Sequence, residues 1–283
     1  MQSVETITAL RAQVKAWREH KQTIAFVPTM GNLHQGHLSL VRKARELADK
    51  VVVSIFVNPL QFDDKTDLAA YPRTVKADIQ MLSSVGCDVI FTPTVGTMYP
   101  KGMTSHTNVI VSNMDDKLCG LKRPGHFDGV ATVVTKLLNI VQADIAVFGE
   151  KDYQQLLLIK HLVCDLNLPV DIVGSPTFRE ANGLAMSSRN QYLNEQQREQ
   201  AASLYQTLLS VKQEIKAGNH DFSALQQQAL THLKELGFEP DYVDIRRAGD
   251  LELAASGDND LRILVAARLG KARLIDNIAC DLA

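Results

Sequence analysis

Thr23-Ile24-Ala25-Phe26-Val27-Pro28-Thr29-Met30-Gly31-Asn32-Leu33-His34-Gln35-Gly36-His37 is the stretch on which the fold turns. Its first five residues make a short apolar run that Pro28 closes, the pattern of a strand buried on both faces. A loop with glycines follows, and then Leu38, Val41, Leu47 and Ala48 recur as on a helix crossing back over a sheet. The next run, Val51-Val52-Val53-Ser54-Ile55-Phe56-Val57, is rich in β-branched residues and is stopped by Asn58-Pro59. Strand, helix and strand in immediate succession form a βαβ unit, whose two strands lie parallel.

The same alternation extends outward. On the N-terminal side, Ile7, Leu10, Val14 and Trp17 fall at helical spacing. On the C-terminal side, Pro72 opens a helix carrying Val75, Ile79 and Leu82 and ended by Gly86, and Asp88 to Phe91 reads as a strand. A helix over Val130 to Val141, a strand over Asp144 to Phe148, a helix over Gln155 to Cys164 and a strand over Val170 to Val173 continue the series. After Gly174-Ser175-Pro176 the character changes. A long helical stretch from Glu195 to Ala217 and another from Ser223 to Leu236 precede three strand-like runs at Tyr242, Arg262 and Arg273. The expected organisation is a parallel α/β domain over residues 1–177 and a smaller α+β domain over 178–283. No internal repeat or low-complexity segment interrupts it.

Bulk properties narrow the class. A chain of 283 residues, 45% apolar and 22% charged, needs no disulfide or metal staple to bury a core. The formal net charge of −2 offers no excess of cations for a nucleic-acid backbone. Cys87, Cys119, Cys164 and Cys280 are scattered, so they read as reduced thiols. The polar start lacks a signal layout and the longest apolar run is too short to span a bilayer, which points to the cytoplasm and away from a membrane.

Chemistry concentrates in the loops that follow the strands, where open parallel sheets bind ligands. Residues 28–37 match neither a dinucleotide fingerprint nor a P-loop; they place His34 and His37 three apart around Gly36 at a helix start. A lone histidine is more often a packing residue. A pair on one face of a first helical turn can donate to phosphoryl oxygens as charge builds. After the Val51 strand, Gln61 offers a donor and acceptors without net charge, which suits hydroxyls beside a carboxylate. After the Asp144 strand, Gly149-Glu150-Lys151-Asp152 presents Lys151 to a phosphate and Asp152 to a ribose hydroxyl or a metal-held water; the bland alternative is a charged helix start. Met186-Ser187-Ser188-Arg189-Asn190 groups two hydroxyls and a guanidinium near the domain junction, a weak signal alone.

Taken together, Pro28 to His37, Asn58 to Phe62, Arg123-Pro124-Gly125-His126-Phe127, Gly149 to Gln155 and Met186 to Asn190 resemble the pantoate–β-alanine ligase family, as do Leu264 to Ala267 and Arg273 to Asn277. The resemblance implies a Rossmann-like domain of the adenylyl-transferase superfamily with a C-terminal lid. It implies condensation of pantoate with β-alanine at the expense of ATP and Mg²⁺ by a cytoplasmic homodimer. It assigns ATP to Met30, Gly31, His34, Gly36, His37, Gly149, Lys151, Asp152, Phe178, Met186, Ser187, Ser188 and Arg189. It assigns pantoate to Gln61, Gln155 and Met30, β-alanine to Gln61, and proton donation to His37; beside it, His34, Lys151 and Arg189 are expected to be catalytic by neutralising phosphoryl charge, and the metal ligands stay open. Leu60, Phe178 and Asn182 depart from the usual residues without removing a contact that the backbone or a volume-conserving swap cannot supply.

A carboxylate must be activated before an amine can attack it. No serine or cysteine sits beside an orienting base, so activation by direct attack on the ATP α-phosphorus is the expected route. The competing readings are a nucleotidyltransferase that keeps the nucleotide in its product and a nucleotide-binding regulator without activity.

Overall fold

The computed structural model describes residues 1–62, 68–69 and 71–282. Its strands and helices sort the chain into two compact units: Met1–Glu150 with Gln155–Pro176, and Lys151–Gln154 with Thr177–Ala283.

The first unit is built on six parallel strands. They are β1 (Gln2–Val4), β2 (Ile24–Thr29), β3 (Lys50–Ile55), β4 (Val89–Phe91), β5 (Ile145–Gly149) and β6 (Asp171–Ser175), in the order β1-β4-β3-β2-β5-β6. The apolar runs of β2 and β3 are buried nearly throughout because helices cover the sheet, and Ala25, Val27, Val51 and Val53 join Leu38, Val41 and Ala44 of α2 (Gln35–Leu47) in one core cluster. The order reverses between β2 and β5, and the crevice at such a switch point, beyond the carboxyl ends of the strands, is where ligands bind in this architecture.

Local chemistry sets several boundaries. Thr6 caps α1 (Ile7–Glu19) by accepting from Ala9 N, and the helix buries Leu10, Val14 and Trp17. α3 (Val75–Ser83) starts after Pro72 rather than at it. α4 (His126–Val141) begins four residues before the apolar run that announces it, with left-handed Gly125 at φ 73° turning the chain into it. α5 (Tyr153–Asp165) leads to β6.

Two strands of the sheet also depart from the sequence reading. β1 joins the sheet edge although three residues give no periodicity to see; its pairing with β4 holds it. β2 does not stop at Pro28 but runs on to Thr29, paired with Ser54 and Ile55 of β3. Ile24 O accepts from Asp144 N, so alternate residues from Ile24, including Pro28, face β5. The β5 pairing ends at Phe26, and the N–H that proline lacks has no ladder partner to lose there.

The second unit packs α6 (Glu195–Ala201), α7 (Ser203–Lys216) and α8 (Phe222–Glu235) with an antiparallel meander of β7 (Glu239–Arg247), β8 (Asp260–Leu269) and β9 (Ala272–Asp281). Leu204, Leu208, Leu225 and Leu233 meet Val243, Ile263 and Val265 in its core. The single helix expected over Glu195–Ala217 is broken at Ala202, where Ala202 N turns back to Glu199 O. The α/β fold with a smaller α+β part is the one expected. No described helix is long and apolar enough to cross a membrane.

Candidate active site

The residues expected to act fall in both units, and each set has its own supports. In the first unit, the loop from β2 to α2 bends through two left-handed residues, Gly31 at φ 82° and Asn32 at φ 51°. A Cβ on residue 31 would lie 3.0 Å from Ile55 Cγ2 and 3.1 Å from Asp78 Oδ2, so space and φ both require glycine. A buried carboxylate holds the bend. Asp78 on α3, 1% exposed, accepts from Asn32 N at 3.1 Å and Leu33 N at 2.9 Å, while Thr74 Oγ1 donates to the same carboxyl group. Thr29 Oγ1 donates to Ser54 O at 2.7 Å and accepts from Gly31 N, tying the loop to β3.

The bend delivers His34 to the N-cap of α2 and puts Gly36 and His37 in its first turn. The two imidazole centroids are 4.1 Å apart with planes tilted by 47°. His34 N–H donates to His37 Nδ1 at 3.3 Å. A ring nitrogen that accepts carries no proton, so the neutral His37 ring bears its hydrogen on Nε2. That donor stands at a helix N-terminus, whose first backbone N–H groups also favour an anion.

Gln61 ends the short 3-10 turn Pro59–Gln61 and is 8% exposed. Its amide orientation follows from a chain of donors. Tyr99 Oη donates to Asn58 Oδ1 at 2.8 Å, so Asn58 Nδ2 faces the other way and donates to Gln61 Oε1 at 3.2 Å and Gly129 O at 3.0 Å. Gln61 Nε2 is thereby aimed at Met30 Sδ, 3.1 Å away. Burial pushes the Tyr99 phenol above its ordinary range, so it stays a donor. The backbone of Gln61 is pinned too: its carbonyl accepts from His126 Nδ1 at 2.8 Å and from Arg123 Nη2 at 3.3 Å. Arg123 Nη1 also donates to His126 Nε2 at 3.0 Å, which fixes the His126 tautomer as Nδ1–H. Gly129 lets α4 approach this turn, since a Cβ there would meet Leu60 O at 2.5 Å. Gln155 lies in the first turn of α5, half-buried.

The second unit carries the other set. Phe178 to Met186 form a tight hairpin: Met186 N donates to Phe178 O, Arg179 bridges Ala185, and Gly183 at φ 95° makes the turn. Ser187 Oγ accepts from Arg189 N at 3.2 Å and opens the 3-10 helix Ser188–Tyr192. Asn190, 2% exposed, braces that turn by donating to Glu180 Oε1 and Ala185 O. Arg189 is exposed. Gly149 closes β5 in the first unit, and two residues on Lys151 and Asp152 fall in the second, their charged ends 3.8 Å apart. The structure thus brings together His34 with His37, Met30 with Gln61, and Phe178 with Met186.

Comparison with known proteins gives these clusters a family. The model for "Pantoate-beta-alanine ligase" matches residues 2–279. A pantothenate synthetase from Pseudomonas aeruginosa is 55% identical over 282 residues, covering 100% of both chains. The chain belongs to the pantoate–β-alanine ligase family. A pantothenate synthetase from Shewanella halifaxensis is 54% identical over 277 residues, 98% of each chain. Among solved structures, a Thermus thermophilus pantothenate synthetase superposes with a TM-score of 0.90 at 44% identity, covering 98% of this chain and 99% of that one. A Francisella tularensis pantoate–β-alanine ligase, complexed with β-γ ATP and β-alanine, gives 0.82 at 36% identity over 98% and 97%.

As a member of this ligase family the chain is an ATP-dependent carbon–nitrogen ligase. Among the described residues of this ligase, no group of three or more His, Cys, Asp or Glu side chains could hold a metal ion. A magnesium ion carried in on nucleotide phosphates, its usual mode, needs no such group. Sequence reasoning gives no role to Asp78, Asn58, Tyr99, Arg123 or His126. Asp78 had a signal, because a carboxylate one residue before Ile79 and four before Leu82 lies on the buried face of its helix. Asn58 had one as well, a capping residue directly before proline. Tyr99 had none.

Proposed function

We propose that this ligase condenses pantoate with β-alanine through an enzyme-bound pantoyl-adenylate. A pantoate carboxylate oxygen attacks the α-phosphorus of ATP, the bond from that phosphorus to the bridging oxygen breaks, and pyrophosphate leaves. The β-alanine amine then attacks the acyl carbon, AMP departs with the carboxylate oxygen, and the amine gives up its proton as the amide forms. Mg²⁺ comes in on the triphosphate as part of the substrate.

One observation carries the reading beyond family membership. The His37 ring, whose Nδ1 accepts from His34 N at the α2 N-terminus and so leaves the proton of the neutral ring on Nε2, is a donor set in place before charge builds on the phosphoryl oxygens. His34, Lys151, Ser187, Ser188 and Arg189 share that charge in the proposal. Gly31, Gly36, Gly149, Asp152, Phe178 and Met186 seat the nucleotide. Gln155 and the oriented amide of Gln61, beside Met30, take pantoate, and Gln61 also faces β-alanine. The anhydride hydrolyses readily, so residues 178–283 serve as the lid that keeps water out. A cytoplasmic homodimer completes the proposal.

Pantoate labelled with ¹⁸O in its carboxylate tests the route. The expected product is AMP carrying one ¹⁸O. Formation of ADP with label in inorganic phosphate would replace the adenylate by an acyl phosphate, and AMP retained covalently in the product would make the protein a nucleotidyltransferase.

A further inference from the structure

We propose that Asn277 on β9 is a positioning residue for Lys151, holding the phosphate-directed lysine in register with the C-terminal unit instead of with the strand that precedes it. The inference rests on the reading that Lys151 meets the triphosphate. Asn277 is 3% exposed, and two contacts fix the direction of its amide. Nδ2 donates to Lys151 O at 2.9 Å, and Oδ1 accepts from Arg262 Nε at 2.7 Å. A guanidinium nitrogen only donates and a backbone carbonyl only accepts, so neither contact survives a flip of the amide. The orientation is set by both ends at once.

The surroundings make this anchor stiff. Asn277 N donates to Asp276 Oδ1 at 2.7 Å, and Asp276, 4% exposed, receives Arg179 through two contacts of 2.6 and 2.9 Å. Arg179 also stacks on Tyr205, with the guanidinium carbon 3.7 Å from the ring centroid. Two residues past Lys151, Tyr153 is held by the same sheet: Arg262 lies over its ring at 4.0 Å and its hydroxyl donates to Ala248 O at 3.1 Å. A backbone carbonyl, a ring face and a hydroxyl thus fasten the segment Lys151–Gln154, which groups with Thr177–Ala283, whereas the strand before it and the helix from Gln155 onward do not.

Position matters because the lysine contributes a point charge. A phosphate-binding ammonium displaced by about 1 Å can cost ~10² in rate when the chemistry depends on alignment. Fixing the carbonyl of Lys151 fixes its Cα–Cβ direction, and so the arc its side chain can sweep.

Asn277→Asp is the informative variant. It keeps an acceptor for Arg262 and the same shape, while the donor to Lys151 O is lost. The full chain is assayed for kcat and for the KM of ATP and pantoate, alongside Lys151→Ala and the double variant. The expected result is a tenfold to hundredfold loss of kcat in N277D, a pantoate KM within about twofold of the parent, and a double variant no slower than K151A within about threefold. A merely structural asparagine would give losses that multiply in the double variant, and that outcome overturns the proposal, as does a near-normal N277D. Near-normal turnover of K151A would instead remove the lysine from the reaction and sink the underlying reading. Should N277D fail to fold, Tyr153→Phe, which drops only the hydroxyl contact, is expected to lower kcat twofold to fivefold with the same non-additivity toward K151A; multiplication there overturns the proposal equally.

Discussion

The loop after β2 and the turn after β5 leave the carboxyl ends of neighbouring parallel strands, yet they are anchored in opposite ways. The β2 loop is held from within its own unit, by the Asp78 carboxylate under Asn32 and Leu33 and by the Thr29 hydroxyl, which donates to Ser54 O of β3. The β5 turn is handed to the other unit, where Asn277 takes the Lys151 carbonyl and Arg262 covers Tyr153. Both anchors are buried polar side chains satisfied by backbone groups, so both are costly to disturb. The contrast suggests a division of labour: the imidazoles and the Gln61 amide are fixed relative to the parallel sheet, and the lysine is fixed relative to the antiparallel one.

The sharpest way to break this division is to remove the charged and hydrogen-bonding groups themselves. His37→Ala or Lys151→Ala is expected to slow adenylate formation by about 10²–10³, ~2.7–4 kcal/mol, the scale of one preorganised donor. Next comes the β2-loop anchor. Asp78→Asn turns one acceptor into a donor facing a backbone N–H, with an expected stability loss on the order of 1–3 kcal/mol. A raised ATP KM should accompany it, while the pantoate KM moves little; denaturant unfolding with both KM values checks this, and a pantoate-selective effect would contradict it.

Gly129→Ala tests how α4 seats Gln61. The methyl must push against Leu60 O, so a cost of about 1–3 kcal/mol and a raised pantoate KM are expected. Unchanged pantoate affinity in the folded variant would show that the turn adjusts freely. The mildest change is Tyr99→Phe, which keeps the ring but frees the Asn58 amide to flip. About 0.5–1.5 kcal/mol should be lost from pantoate binding, up to roughly tenfold in KM, with ATP KM unchanged. Equal shifts in both would assign Tyr99 to general packing.

What could be read in the sequence follows the same line between local and distant. The strands β2, β3 and β5 announce themselves because burial on both faces demands continuous apolar runs such as Val51 to Val57. The histidine pair and Gln61 are visible because their loops directly follow those runs. β1 is not, since three residues carry no period, and nothing near Ala202 marks the break between α6 and α7. The supports are hidden for a different reason. Asp78 reaches 45 residues back to Leu33, Tyr99 reaches 41 to Asn58, and Asn277 reaches 126 to Lys151. Only folding brings such pairs together, so composition and spacing could show the chemical groups but not what aims them.

The most direct measurement is a rapid-quench single turnover with ATP, Mg²⁺ and pantoate, β-alanine being omitted, on the parent, H37A and K151A. The account expects the parent to form one equivalent of pantoyl-adenylate per site and both variants to form it about 10²–10³ more slowly. A parent that makes no adenylate until β-alanine is added, or a variant that keeps the parent's rate, would contradict it.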